Sequence, residues 1–206
     1  MLVHRETKGE TMKGLIFSAP MMLAWLAGKK TVSRRLINPQ PYRVNEYAWN
    51  FSGVIGGKIM LDADFLKTAR YQSGESVYIK ETWHCDDPAA AQDIMSRGEG
   101  LFYKAGMAEQ EASMFKWKSP RFMSEWASRS HALIVSVRPE KIREITEEEA
   151  KLEGVNLEDF RSNTEGISGY EYRLDFYRLW NALHPGSWER NEFCWRYELE
   201  KGVNNG

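Results

Sequence analysis

Cysteine is nearly missing from the 206 residues: there are two, Cys85 and Cys194. Two thiols cannot build a disulfide framework, so the sequence reads as that of a reduced, cytoplasmic protein. An excess of either charge is missing too. Lys and Arg number 28 against 29 Asp and Glu, a net charge of −1. That balance excludes an acidic solvating tail and a histone-like polycation, and it confines nucleic-acid contact to a local patch. No apolar run is long enough to span a bilayer. The most apolar stretch, Gly14 to Gly28, is broken by Ser18 and Pro20 and has its dense positive charge after it. It is therefore neither an export signal nor an anchor, and no membrane partner is expected. A glycine-rich phosphate loop is lacking, which disfavours triphosphatases and dinucleotide enzymes. His84-Cys85-Asp86-Asp87 sets four potential ligands in a row. No second cluster completes a tetrahedral site, so neither a metal nor a cofactor is expected.

Spacers and repeats are lacking as well, which points to one domain over 12–206. Residues 1–11 are polar and unpatterned and read as a disordered extension, with Met12 an alternative natural start. Hydrophobic residues make up 42% and include eight Trp, enough for a core with rings to spare for stacking. A short buried strand is expected from Leu15 to Ser18, then a helix with Pro20 in its first turn and Gly28 at its end. Further strands are expected at Thr31 to Ile37, Val54 to Leu61, Ser76 to Thr82, Leu101 to Lys104, His131 to Val137 and Phe193 to Glu200. Helices are expected at Thr146 to Leu152, capped by Thr146 and closed by Gly154, and at Tyr170 to Leu183. Short scattered strands with a few helices suggest an α+β fold, a small barrel decorated by helices.

Two constellations stand out. The first is Gly28-Lys29-Lys30-Thr31-Val32-Ser33-Arg34-Arg35, four cations in eight residues. A solvated or phosphate-binding face is the plain reading of such a run. The second interleaves cations and aromatics: Lys116, Trp117, Lys118, Arg121, Phe122, Trp126 and Arg129. That composition suits phosphates and stacked bases, although Trp126 reads better as a core ring. The expected partner is a nucleoside, a nucleotide or single-stranded RNA; no obligate protein partner is expected.

The octet fits G-x-K-x-x-x-x-R, the signature of the ASCH domain, a relative of the PUA domain. The segment 74–83 (GESVYIKETW) resembles the G-D-x-[LV]-[WY]-V-[RK]-E-T-W block of phage and prophage ASCH proteins. Arg121-Phe122-Met123 with Trp126-Ala127-Ser128-Arg129 resembles a second block, and 145–155 (ITEEEAKLEGV) a third. Phe176 to Trp180 with Ser187-Trp188-Glu189 resembles the closing block. Ser124 stands where the group has Pro, and Glu192-Phe193 where it has Pro-Trp. The likeness runs from Met12 to Glu200. It implies a PUA-like β-barrel with a cleft for RNA, a nucleotide or a nucleoside, with insertions near 54–64 and 85–98 peripheral to that cleft.

One branch of the family hydrolyses the N4-acetyl amide of acetylated cytidine with a Lys, a Thr and a Glu. By motif these fall on Lys30, Ser33 and Glu153, with Arg35 as the signature arginine. The resemblance thus implies an N4-acetylcytidine amidohydrolase; the expected substrate- or nucleic-acid-binding residues are Gly28, Thr31, Arg34 and Arg35 of the octet, with Lys116, Trp117, Arg121 and Arg129 from the second constellation. In that scheme Lys30, its neutral form favoured by neighbouring cations, takes the proton of Ser33 Oγ. Glu153 protonates the leaving amine, and Arg35 or a backbone N–H holds the oxyanion. On a regular strand positions 30 and 33 face opposite sides, so Lys30 must lie in the turn after Gly28 or beside a bulge. Two other functions use the same cleft: an RNA- or nucleotide-binding module without turnover, and a ribonuclease with Glu153 as base.

Overall fold

The computed structural model describes residues 11–51, 59–86, 100–155 and 171–202. Most of the 1–11 extension, the Val54 to Lys58 half of one expected strand and nearly all of the 85–98 insertion lie outside the described residues. The chain is mixed α+β. The principal sheet has five strands: β1 (Lys13–Ile16), β2 (Val32–Leu36), β6 (Ser76–Lys80), β9 (His131–Lys141) and β10 (Phe193–Lys201). Their order is β1-β6-β9-β10-β2, with β1 and β6 parallel and every other neighbour antiparallel. A smaller sheet joins β3 (Pro41–Asn45), β4 (Ala48–Phe51) and β5 (Met60–Leu61), and a two-stranded ribbon pairs β7 (Trp83–Cys85) with β8 (Leu101–Tyr103). Helices are α1 (Ala19–Leu26), α2 (Asp62–Leu66), α3 (Glu109–Ala112), α4 (Glu147–Leu152) and α5 (Glu171–Leu183).

Period-two alternation divides the core. Trp195, Tyr197 and Leu199 of β10 point into a cluster with Leu15, Phe17, Trp25, Trp49 and Phe65, beneath α1 and the small sheet. Cys194, on the opposite face, packs with Ile142, Ile145, Ala150, Phe176 and Trp180, beneath α4 and α5. Both faces of the sheet are covered, which is why β10 carries so few exposed side chains.

Pattern reading finds the long elements and misplaces several ends. The first strand starts two residues earlier than expected. β9 runs four residues past Val137, through Pro139. Proline is tolerated there because β6 pairs only with His131 to Leu133, so β9 has no partner on that side at position 139. The Thr146 hydroxyl accepts from the Glu149 N–H, the expected cap of α4.

Barrel closure does not occur: β1 and β2 are both sheet edges with no backbone ladder between them. What spans the gap is a side chain. Arg35 Nη2 donates to Ile16 O across it at 2.7 Å. No helix of the described residues is long and apolar enough to cross a membrane.

Candidate functional site

The octet begins where α1 stops. Gly28 adopts φ +72°, and Lys29 and Lys30 N–H both donate to Ala24 O, closing the helix. Lys30 therefore lies in the turn, not on β2. Thr31 N–H donates to Leu152 O at 2.9 Å, so the start of β2 satisfies a carbonyl at the end of α4. Gly154, at φ +77°, sits so close to α1 that a Cβ there would stand 2.6 Å from Ala24 Cβ and 2.9 Å from Lys30 Cβ. Only glycine allows α4 to end against this turn.

Lys30 and Glu153 meet at that junction, 1% and 3% exposed. Lys30 Nζ donates to Glu153 Oε2 at 2.9 Å, to Glu153 O at 2.8 Å and to Val32 O at 2.7 Å. An ammonium has three N–H groups, and all three are used. Burial pushes the Lys30 pKa down; Glu153 opposes the shift, and the Arg35 and Arg34 cations add to it. The other Glu153 oxygen accepts from Arg34 Nη1 at 3.1 Å. Arg34 goes on to Glu140 at 2.5 Å through Nε and to Glu149 at 2.8 Å through Nη2. Burial works against its charge, but Glu153 and Glu140 together outweigh that and raise its pKa. Arg138 and Arg196 complete the network on Glu149 at 3.1 and 3.0 Å.

Ser33 does not join Lys30. It lies on β2 opposite Tyr197, one residue from Arg34, and so on the other face of the sheet. The expected placement of Gly28 to Arg35 and Glu153 around one cleft therefore needs correction: the octet splits. Lys30, Arg34 and Glu153 form a buried charge network, while Arg35 alone of these residues lines a cavity. Ser33 shares Arg35's face of β2 but not the cavity lining.

That cavity, about 560 Å³, opens in the gap between β1 and β2. Arg35, Arg70, Phe51, Tyr71, Trp195 and Tyr197 contribute to its walls, with Asn38 and Thr68 as neutral polar groups. Tyr71 is fixed by its hydroxyl, which donates to Gly14 O at 2.8 Å, and by edge contact with Tyr197 at 5.3 Å. Burial pushes the phenols of both tyrosines up, so both remain neutral donors. Burial likewise pulls the Arg35 guanidinium down, partly offset by Glu153. Among the described residues no carboxylate pairs with Arg35; its hydrogen bond to Ile16 O is the one it makes. Arg70, Tyr71 and Phe51 were not expected from the sequence, since they come from loops and from a strand without pattern. The alternation Trp195-Arg196-Tyr197 was the available signal.

The second constellation forms a separate lobe around β7 and β8. Arg129 is committed to Glu81 through two hydrogen bonds, 2.8 and 2.9 Å, and lies over Tyr103 at 4.4 Å. Trp117 Nε1 donates to Ala112 O, and its ring meets Phe115 at 5.4 Å. Trp126 packs edge-on against Trp83 in a buried cluster. Lys116 and Arg121 are exposed. None of the four expected binding residues here lines the cavity at β1 and β2.

Comparison with protein-family models, curated proteins and solved structures finds no match to this chain.

Proposed function

We propose that the chain is a PUA-like, ASCH-type nucleotide-binding domain whose ligand occupies the cavity between β1 and β2. The observation that carries this reading is Arg35: a partly buried guanidinium with no carboxylate partner among the described residues, set among aromatic rings. Burying a cation without a counter-ion costs stability, and an anionic ligand recovers it. A nucleotide supplies both halves, a phosphate for the guanidinium and a base to stack on Tyr71 or Trp195. Asn38 and Thr68 provide amide and hydroxyl groups for base edges. The unclosed sheet belongs to this reading, because pairing β1 with β2 would fill the cavity.

The test is calorimetric titration of CMP, UMP, AMP and GMP into the wild-type chain and into Arg35→Met. Binding of at least one nucleotide, reduced about tenfold or more by Arg35→Met, is expected. Absence of binding across the set, or binding undiminished in the variant, overturns the reading.

A second reading, hydrolysis of an N4-acyl cytidine, has one observation in its favour. Lys30 and Glu153 are in contact, and burial drives Lys30 toward the neutral amine that a base requires. Against it, all three Lys30 N–H groups are already used and the pair is almost wholly buried, so an attacking water would have to replace one of those bonds. The step requires the ion-pair proton to pass first from Lys30 to Glu153. A water then adds to the acyl carbon and loses its proton to the neutral Lys30 amine. The C–N bond breaks as protonated Glu153 gives its proton to N4, leaving acetic acid, cytidine and the Lys30–Glu153 ion pair. Incubation with N4-acetylcytidine, scored by free cytidine and acetate, decides it; single-stranded RNA beside it tests the ribonuclease alternative by its fragments.

A further inference from the structure

A second cavity, about 580 Å³, lies at the far end of β9 and β10. Tyr42, Arg43, Trp49, Pro139, Lys141 and Phe193 form most of its wall. Three relationships tie it to the first. Both cavities border the same stretch of chain, with Leu36, Ile37 and Asn38 on the first and Pro41, Tyr42 and Arg43 on the second. Trp195 lines the first and Phe193 the second, two residues apart on one face of β10, about 7 Å along the strand. Phe51 and Trp49 repeat that division on β4. The chemistry repeats as well. Lys141 Nζ stands 3.9 Å above the Phe193 ring and, among the described residues, has no carboxylate partner. Arg43 lies 4.2 Å above Trp49 and reaches Asp62 at 3.4 Å. Of the two acids of this cavity, Glu140 is engaged by Arg34 and Arg138, whereas Glu144 accepts from the Lys141 backbone N–H within the same wall.

Two cavities bordering one stretch of chain, each with aromatic walls and a cation that has no carboxylate partner among the described residues, suit a repeating anionic polymer better than one small molecule. We propose that the protein binds a short single-stranded nucleic acid across both cavities, with one phosphate at Arg35 and a later one at Lys141 and Arg43. The inference rests on the nucleotide reading of the first cavity and extends it to a second subsite. Linking the two contacts makes the second effectively intramolecular, so affinity rises with length without any change in the first.

The experiment measures the affinity of the full chain for CMP and for tetracytidylate, across salt, in wild type, Arg35→Met, Lys141→Met and Lys141→Glu. Methionine keeps the apolar stem over Phe193 and removes the charge; thermal unfolding checks that each variant is folded. The expected wild-type ratio of tetracytidylate to CMP affinity is at least about tenfold. The expected slope of log affinity against log salt is steeper for the tetramer by about 0.7 for each added phosphate contact. Lys141→Met lowers the ratio toward one, and Lys141→Glu lowers it further. A wild-type ratio near one, or a ratio unmoved by both Lys141 variants, overturns the second subsite while leaving the nucleotide reading intact. Failure of both ligands to bind overturns the second subsite, and the nucleotide reading falls with it when UMP, AMP and GMP fail as well.

Discussion

Arg34 and Arg35 are neighbours on β2 that point to opposite faces of the sheet and meet opposite fates. Arg34 is held by three carboxylates, Glu140, Glu149 and Glu153, whereas Arg35 spans an open gap to one backbone carbonyl. Four cations within eight residues look equivalent in the sequence. Strand alternation ties one to three carboxylates and turns its neighbour into the cavity wall.

Arg34→Met and Arg35→Met should therefore separate stability from binding. Removing Arg34 leaves three partly or fully buried carboxylates without their shared partner, a loss of about 3–5 kcal/mol. Removing Arg35 breaks one hydrogen bond to a backbone carbonyl, about 1 kcal/mol. Urea unfolding of both variants beside wild type measures the difference; equal losses would contradict the contrast between Arg34 in a buried charge network and Arg35 in a cavity wall.

Lys30 and Glu153 form a pair whose members need each other more than the fold needs the pair. Glu153→Leu strands the buried Lys30 charge, at about 3–5 kcal/mol, whereas Lys30→Met leaves Glu153 paired with Arg34 and should cost less. The double variant removes both charges together, and its loss should fall clearly short of the two single losses combined. Arg34 stays bound to Glu140 and Glu149 in every case, so the network does not collapse with the pair. Strict additivity in a denaturant double-mutant cycle would show that the two do not act together.

The pairing of Lys30 with Glu153 was legible in the sequence through the motif alone; period-two geometry required Lys30 to leave the strand for the turn after Gly28, or a bulge to intervene, if it was to share a cleft with Ser33, and Lys30 does lie in the turn. Elements with strong periodicity, such as α5 and β10, were legible because burial on one face imposes the pattern. β3, β4 and β7 were not. Pro41 and Asn45 are poor strand residues, and Trp83 to Cys85 is too short to show a period. The cavity was invisible for another reason. Its walls come from β1, β2, β4, β10 and the loop after α2, and no local pattern announces which loop will close on which strand. Tyr71 is an aromatic in a loop until β1 supplies Gly14 O for its hydroxyl.

Gly154 and Gly28 share a positive φ and differ in surroundings, so alanine should distinguish strain from collision. At Gly28 a Cβ meets nothing within 4 Å, and Gly28→Ala should cost about 1–2 kcal/mol, the conformational penalty alone. At Gly154 the same penalty is joined by contact with Ala24 Cβ at 2.6 Å and Lys30 Cβ at 2.9 Å. Gly154→Ala should cost about 3 kcal/mol or more, since overpacking adds about 1–3. Ala24→Gly in the Gly154→Ala background should recover part of the collision and none of the conformational penalty. Thermal denaturation of the three variants beside wild type reads this directly.

The buried network also sets how stability follows pH. At Glu149 burial pushes the carboxyl up, but Arg34, Arg196, Arg138 and the hydrogen bonding around the Thr146 cap outweigh it together and hold the pKa below the ordinary carboxylate value. The unfolded chain, lacking those cations, takes up the proton first as pH falls. Its uptake favours unfolding, so the Glu149 contribution is fully present above the ordinary carboxylate range and is lost as pH drops through the folded value. Lys30 gives a slope of the same sign in another window. Burial lowers its pKa, so between the folded value and 10.5 the unfolded chain holds the extra proton and stability rises with pH. Glu149→Gln should lower stability at neutral pH and flatten the acid limb between about pH 5 and pH 3. Lys30→Met should leave the acid limb steep and remove a rising component at the alkaline end. Urea midpoints measured across pH for the three proteins test both signs, and an acid limb as steep in Glu149→Gln as in wild type would remove Glu149 from the account.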